Sequence, residues 1–292
     1  MPANMSAMRL TGPGNWPRKS GPKSGACNRL GRLYPSREFI LPIKAITFDF
    51  WSTLYRSKSV DFTERLVRLK TSVEQRSNVN FELEQFKEAV QVARETWSRV
   101  WREEHRTISA EGWLQVMLAE LSLSLQDEQL FELALRMENS VLTDLPTLQP
   151  DAKAVLAELS VDYALGLISD TGITPGRVLR QILVRDGILN YFSHLTFSDE
   201  VGRSKPHHEA FLSTLTGLAV EPEEAVHIGD LLRTDIAGAK AVGMRAVQYI
   251  GINQDGEIDL PEAPLLQVRP DAVITSHHEL KPWLELWNGN GS

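Results

Sequence analysis

Apolar positions divide the chain by their period. A short unbroken run, Ile43 to Phe50, reads as a buried strand. Beyond it, apolar residues recur at three- and four-residue steps. In FELEQFKEAVQVARETWSRVWREE, the residues Phe86, Val90, Ala93, Trp97, Val100 and Trp101 share one helix face. Asn80 is placed to cap this helix, with Glu82 and Glu84 in its first turn. Comparable spacing predicts helices over 60–75, 110–121 and 127–142, and the tryptophans Trp97, Trp101 and Trp113 are expected inside that bundle. From Pro150 the rhythm changes. YALGLIS, HLTFS, AVHIGD and MRAVQYI are short apolar runs separated by helix-length amphipathic segments. Thr174-Pro175 offers an N-cap followed by proline in the first turn, and Pro206 can open a helix in the same way.

Strand–helix alternation predicts an α/β fold built on a doubly wound, mostly parallel sheet covered on both faces. The expected domains are a core from 43–55 plus 148–292, with an inserted α-helical cap from 56–147. Residues 1–42 are rich in Gly, Pro, Ser and Arg, lack apolar periodicity and are expected to be disordered.

Charge sharpens this division. Residues 1–42 carry seven Lys/Arg and one acid, whereas the whole chain is −7, so residues 43–292 carry −13. An acidic body excludes a nucleic-acid partner as the expectation, because phosphate backbones require a basic surface. No apolar run reaches the length of a membrane span, so no membrane partner is expected. The single cysteine, Cys27, leaves the folded part without a disulfide or thiolate metal site. The expected compartment is the cytoplasm. The alternative is an organelle, because Arg-rich, acid-poor residues 1–42 also fit a transit peptide; an inert tail or a later start at Met5 or Met8 is the plainer reading. Oligomeric state is left open.

Parallel sheets bind ligands beyond the carboxyl ends of their strands. Asp49, Ser169 and Asp230 each end an apolar run; Asp170 follows Ser169, Lys205 precedes a helix start, and Asp235 lies five residues after Asp230. Carboxylates with water suit Mg²⁺. A lysine and a hydroxyl beside that ion suit a phosphoryl group, and a carboxylate can act as nucleophile.

These residues resemble the motifs of the haloacid dehalogenase superfamily, largely phosphatases. Asp49 with Thr53, then Ser169, then Lys205-Pro206, then GDLLRTD appear in order, and RPDAVITSHHEL resembles the family's last strand and helix. The resemblance implies a Rossmann-like core and an Mg²⁺-dependent hydrolase of a small phosphorylated metabolite, working through an aspartyl-phosphate. It makes Asp49 the nucleophile and a metal ligand. The main-chain carbonyl of Trp51 and the Asp230 carboxylate would be the other protein ligands. Ser169, Asp170, Thr53 and Lys205 would bind substrate, with Ser169 and Lys205 also catalytic, and Asp235 would support them.

The departure is Trp51, where such phosphatases usually carry a second Asp as general acid–base. An indole N–H donates but does not titrate usefully. Ser52, where glycine is usual, is a smaller departure. Three readings follow. One is a phosphohydrolase that uses a leaving group of low basicity, or takes its proton from Glu103, Glu104, His105 or Asp170. Cleavage of a phosphonate through a Schiff base on Lys58 or Lys70 is a variant of it, although surface lysines are the plainer reading. Another is a 2-haloacid-dehalogenase-like carbon–halogen hydrolase, for which an aromatic residue at 51 is usual but Asp230 is not. The third is a catalytically impaired protein that binds a phosphate ligand or a partner. Among the remaining residues, His207-His208 and His277-His278 read as solvent-exposed helix starts and His227 as a hydrogen-bonded core histidine. Gly238 suits close packing and Gly243 a helix stop.

Overall fold

The structure is a computed structural model that describes residues 41–58, 62–252 and 268–289. The expectations for residues 1–40 lie outside them. The strands are β1 (Ala45–Phe48), β2 (Tyr55–Arg56), β3 (Thr147–Leu148), β4 (Ala164–Ser169), β5 (Phe192–Phe197), β6 (Ala225–Gly229), β7 (Arg245–Tyr249) and β8 (Ala272–Ile274). Helices α1 (Phe62–Ser77), α2 (Leu83–Arg99), α3 (Ala110–Glu120) and α4 (Asp127–Glu138) lie between β2 and β3. They are followed by α5 (Ala152–Leu159), α6 (Gly176–Arg185), α7 (Ser198–Val201), α8 (His208–Leu218), α9 (Ala237–Val242) and α10 (Leu280–Trp287). None of these helices is long and apolar enough to cross a membrane.

Six strands form one sheet in the order β5-β4-β1-β6-β7-β8, with every adjacent pair parallel. Parallel neighbours demand crossovers, which the intervening helices supply. Alternation along each strand feeds both faces. Ile46, Phe48, Leu165, Leu167, Val226 and Ile228 enter one apolar cluster, whereas Ala45, Ile168 and Ala225 enter another with Phe211 and Ile236. The antiparallel pair β2–β3 forms the stem from which α1–α4 emerge. Those helices bury a third cluster, including Leu66, Phe86, Val90, Trp113, Met117 and Leu133. Trp113 is thus in the insert's core, as its spacing predicts.

Several local expectations are corrected. Helix α2 starts two residues after Asn80's expected cap position would place it: Glu82 is its N-cap and makes no side-chain capping bond. Pro175 is the N-cap of α6 rather than its first helical residue. The Gly176 N–H donates to the Asp199 carboxylate, so a residue of α7 replaces Thr174 as cap. Helix α8 opens at His208, two residues after Pro206, with His207 as N-cap accepting from the Glu209 N–H through Nδ1.

His277 is the larger correction. It is buried, stacked on the Tyr249 ring at 4.5 Å, and bonded to Asp151, 126 positions away. Asp151 accepts from the Ser276 hydroxyl (2.6 Å), the His277 N–H (2.7 Å) and His277 Nδ1 (2.9 Å), tying the chain after β8 to the start of α5. Burial alone would raise the Asp151 carboxyl, but the hydrogen bonds from His277 and Ser276 hold it well below the usual carboxylate range. A carboxyl lowered by folding contributes stability above its unfolded pKa, and that contribution is lost as pH falls through the lower folded value. Asp151→Asn is therefore expected to cost about 1.5–3 kcal/mol at neutral pH. It should also show a smaller further loss than wild type below about pH 4, where the unfolded carboxyl begins to protonate. Urea unfolding across pH measures both.

Candidate active site

The carboxyl ends of β1, β4 and β6 lie side by side, and their following residues converge on a cavity of about 250 Å³. Asp49, Asp170, Lys205, Asp230 and Asp235 all line it, together with Trp51. The organising contact is the Lys205 ammonium, which is almost fully buried. It donates to Asp49 Oδ1 (2.5 Å), Asp235 Oδ1 (2.6 Å) and the Ile168 carbonyl (3.1 Å), so all three of its protons are placed. Burial alone would lower this lysine, but the acids around it outweigh burial and keep it charged.

Asp235 anchors the assembly. Besides Lys205, Oδ1 lies 3.1 Å from His227 Nε2, and Oδ2 accepts from the Leu231 N–H and the Thr234 hydroxyl. Burial opposes its charge, yet Lys205 and His227 hold its carboxyl well below the ordinary range. Burial lowers His227, so the imidazole is neutral at physiological pH. With Asp235 ionised, Nε2 is the donor and Nδ1 faces Thr47 Oγ1 at 2.9 Å. His227 is the hydrogen-bonded core histidine its strand position predicts. Gly229 makes room for this arrangement, since a Cβ there would lie 2.3 Å from Asp235 Cγ.

Asp49 and Asp230 behave oppositely. Burial raises Asp49 to about 7 despite Lys205, and burial together with the charges of Asp235 and Asp49 raises Asp230 to about 8. Four acids thus share one lysine in a buried cavity. Among the described residues no group of three or more His, Cys, Asp or Glu side chains is disposed to hold a metal ion. The donor set nevertheless fits Mg²⁺, which takes one or two protein carboxylates and retains several waters. Asp49 and Asp230 supply two carboxylates at neighbouring strand ends, and the excess negative charge suits a cation.

The remaining predicted residues are placed as follows. Ser169 and Thr53 are buried but do not line the cavity; the Ser169 hydroxyl lies 3.3 Å from the Asp170 carbonyl, and Thr53 Oγ1 has no hydrogen-bond partner. Asp170 has both oxygens engaged, accepting from the Lys205 N–H at 2.9 Å and from Trp101 Nε1 at 2.8 Å. Trp51 is half-buried, edge-on to Phe50 at 4.8 Å, and serves as packing element and cavity wall together. Ser52 adopts φ 56°, so the turn keeps the left-handed conformation in which glycine is usual. Glu103, Glu104 and His105 do not line the cavity, and Glu104 pairs with Arg99 and Arg106. Lys58 and Lys70 are also outside it, paired with Asp144 and Glu74.

Two tryptophans of the predicted helix face also line the cavity. Trp97 and Trp101 stack on each other at 5.6 Å; Trp97 packs against the insert's apolar cluster as expected, whereas Trp101 lies outside that cluster. Trp101 lies just beyond α2, in a π turn, Val100–Glu104, and its indole N–H donates to Asp170 after β4. There its ring also receives the Arg233 guanidinium, 4.2 Å from the ring centre.

A sequence model of haloacid dehalogenase-like hydrolases matches residues 43–243. The chain belongs to that family. A glyceraldehyde 3-phosphate phosphatase of Pyrococcus furiosus is 35% identical over 144 residues, 48% of this chain and 56% of that protein. Across the Pyrococcus furiosus, Pyrococcus abyssi and Methanopyrus kandleri proteins of that name, the chain spans about half the relative's length. One from Methanocaldococcus jannaschii is 28% identical over 221 residues, 74% of this chain and 90% of that protein. The crystal structure of a HAD phosphatase from Thermococcus onnurineus matches with TM-score 0.54 at 25% identity, covering 83% of this chain and 98% of that one. A 2-haloacid dehalogenase from Pseudomonas syringae pv. Tomato DC3000 shares the fold with TM-score 0.61 at 24% identity, covering 84% and 99%.

Because Lys205 is the only cation among the cavity-lining residues, replacing it leaves Asp49 and Asp235 buried without their partner. Lys205→Met is expected to cost about 3–5 kcal/mol of unfolding free energy, measured by urea titration.

Proposed function

We propose that this family member is a phosphohydrolase acting on small phosphorylated compounds, with Asp49 as nucleophile and Mg²⁺ as cofactor. The observation that carries the reading is the three-way hold on Lys205, which fixes a cation against Asp49 at the mouth of the sheet. Relatives named as glyceraldehyde 3-phosphate phosphatases and a phosphoserine phosphatase of Thermus thermophilus support the substrate class.

Asp49, Asp230 and the Trp51 carbonyl would hold Mg²⁺, which when bound draws charge from the phosphoryl oxygens and holds the ester against the nucleophile. Asp49 attacks phosphorus, the bond to the leaving oxygen breaks, and an aspartyl-phosphate forms. Water then attacks that phosphorus, releasing inorganic phosphate and restoring the Asp49 carboxylate. Lys205 offsets negative charge throughout. Asp235 and His227 keep Lys205 aimed. The α1–α4 insert caps the cavity through Trp97 and Trp101.

Trp51 sets the limit of this chemistry. None of Glu103, Glu104 and His105 lines the cavity, and both oxygens of Asp170 are engaged, which supports leaving groups that depart without a proton: acyl, enol and aryl phosphates. Carbon–halogen hydrolysis is less well supported, because Asp230 would then face an anionic acid substrate without a counter-charge.

Acetyl phosphate and p-nitrophenyl phosphate are expected to turn over with Mg²⁺ and to stop with EDTA, and Asp49→Asn to lose about 10³-fold or more in kcat. Absence of turnover in folded wild type, or chloride release from a chloroacid in EDTA, would contradict the proposal. Trp51→Asp should raise kcat on alkyl phosphates, by up to about 10²-fold, and much less on aryl phosphates. Equal or lower turnover on both would contradict the assignment of Trp51 as occupant of a missing acid's place.

A further inference from the structure

A second cavity, about 500 Å³, adjoins the first and is twice its volume. Trp51 lines both, and the loop after β4 continues from one to the other: Thr171 and Gly172 face the small cavity, Ile173 and Thr174 the large one. The large cavity mixes apolar surface from Leu69, Leu133, Met137, Val141 and Ile173 with four cations, Lys58, Arg65, Arg68 and Arg136. Its only acidic lining residue is Asp144, which pairs with Lys58 at 3.4 Å. Arg68 pairs with Glu64, whereas Arg65 and Arg136 have no acidic partner among the described residues.

Such a cluster is out of character for this chain. Residues 43–292 carry −13, so a chance patch of surface is expected to be acidic. Arg65 and Arg68 are three apart on α1 and therefore share a face, and Arg136 comes from α4. Two helices distant in sequence thus bring positive charge to the rim of one apolar cavity next to the reacting groups. Arginine forks bind carboxylate and phosphate oxygens in pairs, and an apolar floor beneath them favours a hydrocarbon or aromatic body.

We propose that this cavity is a substrate subsite, and that the physiological substrate is an amphipathic phosphoester whose apolar body carries a second anionic group, a carboxylate or phosphate, bound by Arg65 and Arg136. This inference rests on the phosphohydrolase reading for the orientation of the substrate, with its phosphoryl group at Asp49. Trp51 forms the threshold between the two cavities. A triose phosphate would occupy the small cavity and leave the large one empty.

The test compares two probes of equal length and similar leaving group, 4-butylphenyl phosphate and 4-(3-carboxypropyl)phenyl phosphate, binding to Asp49→Asn by calorimetry. The carboxylated probe is expected to bind about tenfold more tightly. That preference should fall to near unity when Arg65→Gln and Arg136→Gln are added. In the wild-type background the same two substitutions should leave p-nitrophenyl phosphate turnover unchanged, since that ester does not reach the rim. Equal binding of the two probes, or a preference that survives loss of both arginines, overturns the subsite. A preference that depends on the arginines in a protein that hydrolyses no phosphoester upholds the subsite and overturns the hydrolase reading instead.

Discussion

One buried ammonium joins the ends of three adjacent strands. Lys205 reaches Asp49 after β1, the Ile168 carbonyl within β4 and Asp235 after β6. A lysine in so dry a place is tolerated only because each proton has an oxygen, and the acids remain ionised only where it is close. The site's geometry and its electrostatics are therefore the same interaction seen from two sides. Asp235 takes most of the benefit, through Lys205 and His227, and is held low; Asp49 and Asp230 are left under-compensated. That imbalance leaves Asp49 and Asp230 short of positive charge, which is the demand a divalent cation would meet.

The insert is bound to this site by a short stretch of chain. Within residues 101–107, Trp101 donates to Asp170, the His105 carbonyl accepts from the Ser204 N–H, and Thr107 meets the hydroxyls of Ser198 and Ser204. Asp170 in turn accepts from the backbone of Lys205. The position of the lysine is thus coupled to the position of the insert. Movement of α1–α4 away from the sheet would break the bonds to Asp170 and to Ser204, the residue before Lys205.

Much of this was legible in the sequence because buried parallel strands announce themselves as apolar runs, and a residue that ends such a run must sit at the sheet's mouth. Asp49, Ser169 and Asp230 were placed on that logic, and His227 by its position inside a strand. Periodicity did not show that Trp101 lies outside the insert's apolar cluster and donates to Asp170, 69 positions away. Partnerships across long separations were equally hidden. His277 reads as an exposed helix start until Asp151, on a different element, is brought beside it. The second cavity assembles from α1, α4 and the loop after β4, and its arginines look like ordinary solvated charges along each helix taken alone. At α6 the cap moved because a tertiary acceptor, Asp199, replaced the local one.

The central claim is that Asp49, held by Lys205, becomes covalently phosphorylated. Rapid acid quench of the Mg²⁺-loaded protein with acetyl phosphate, followed by intact-mass and peptide mapping, tests it directly. The account predicts added mass of one phosphoryl group on the peptide that contains Asp49, absent from Asp49→Asn. Hydrolysis of acetyl phosphate without any trapped phosphoprotein in wild type, or with the same rate in Asp49→Asn, would contradict it.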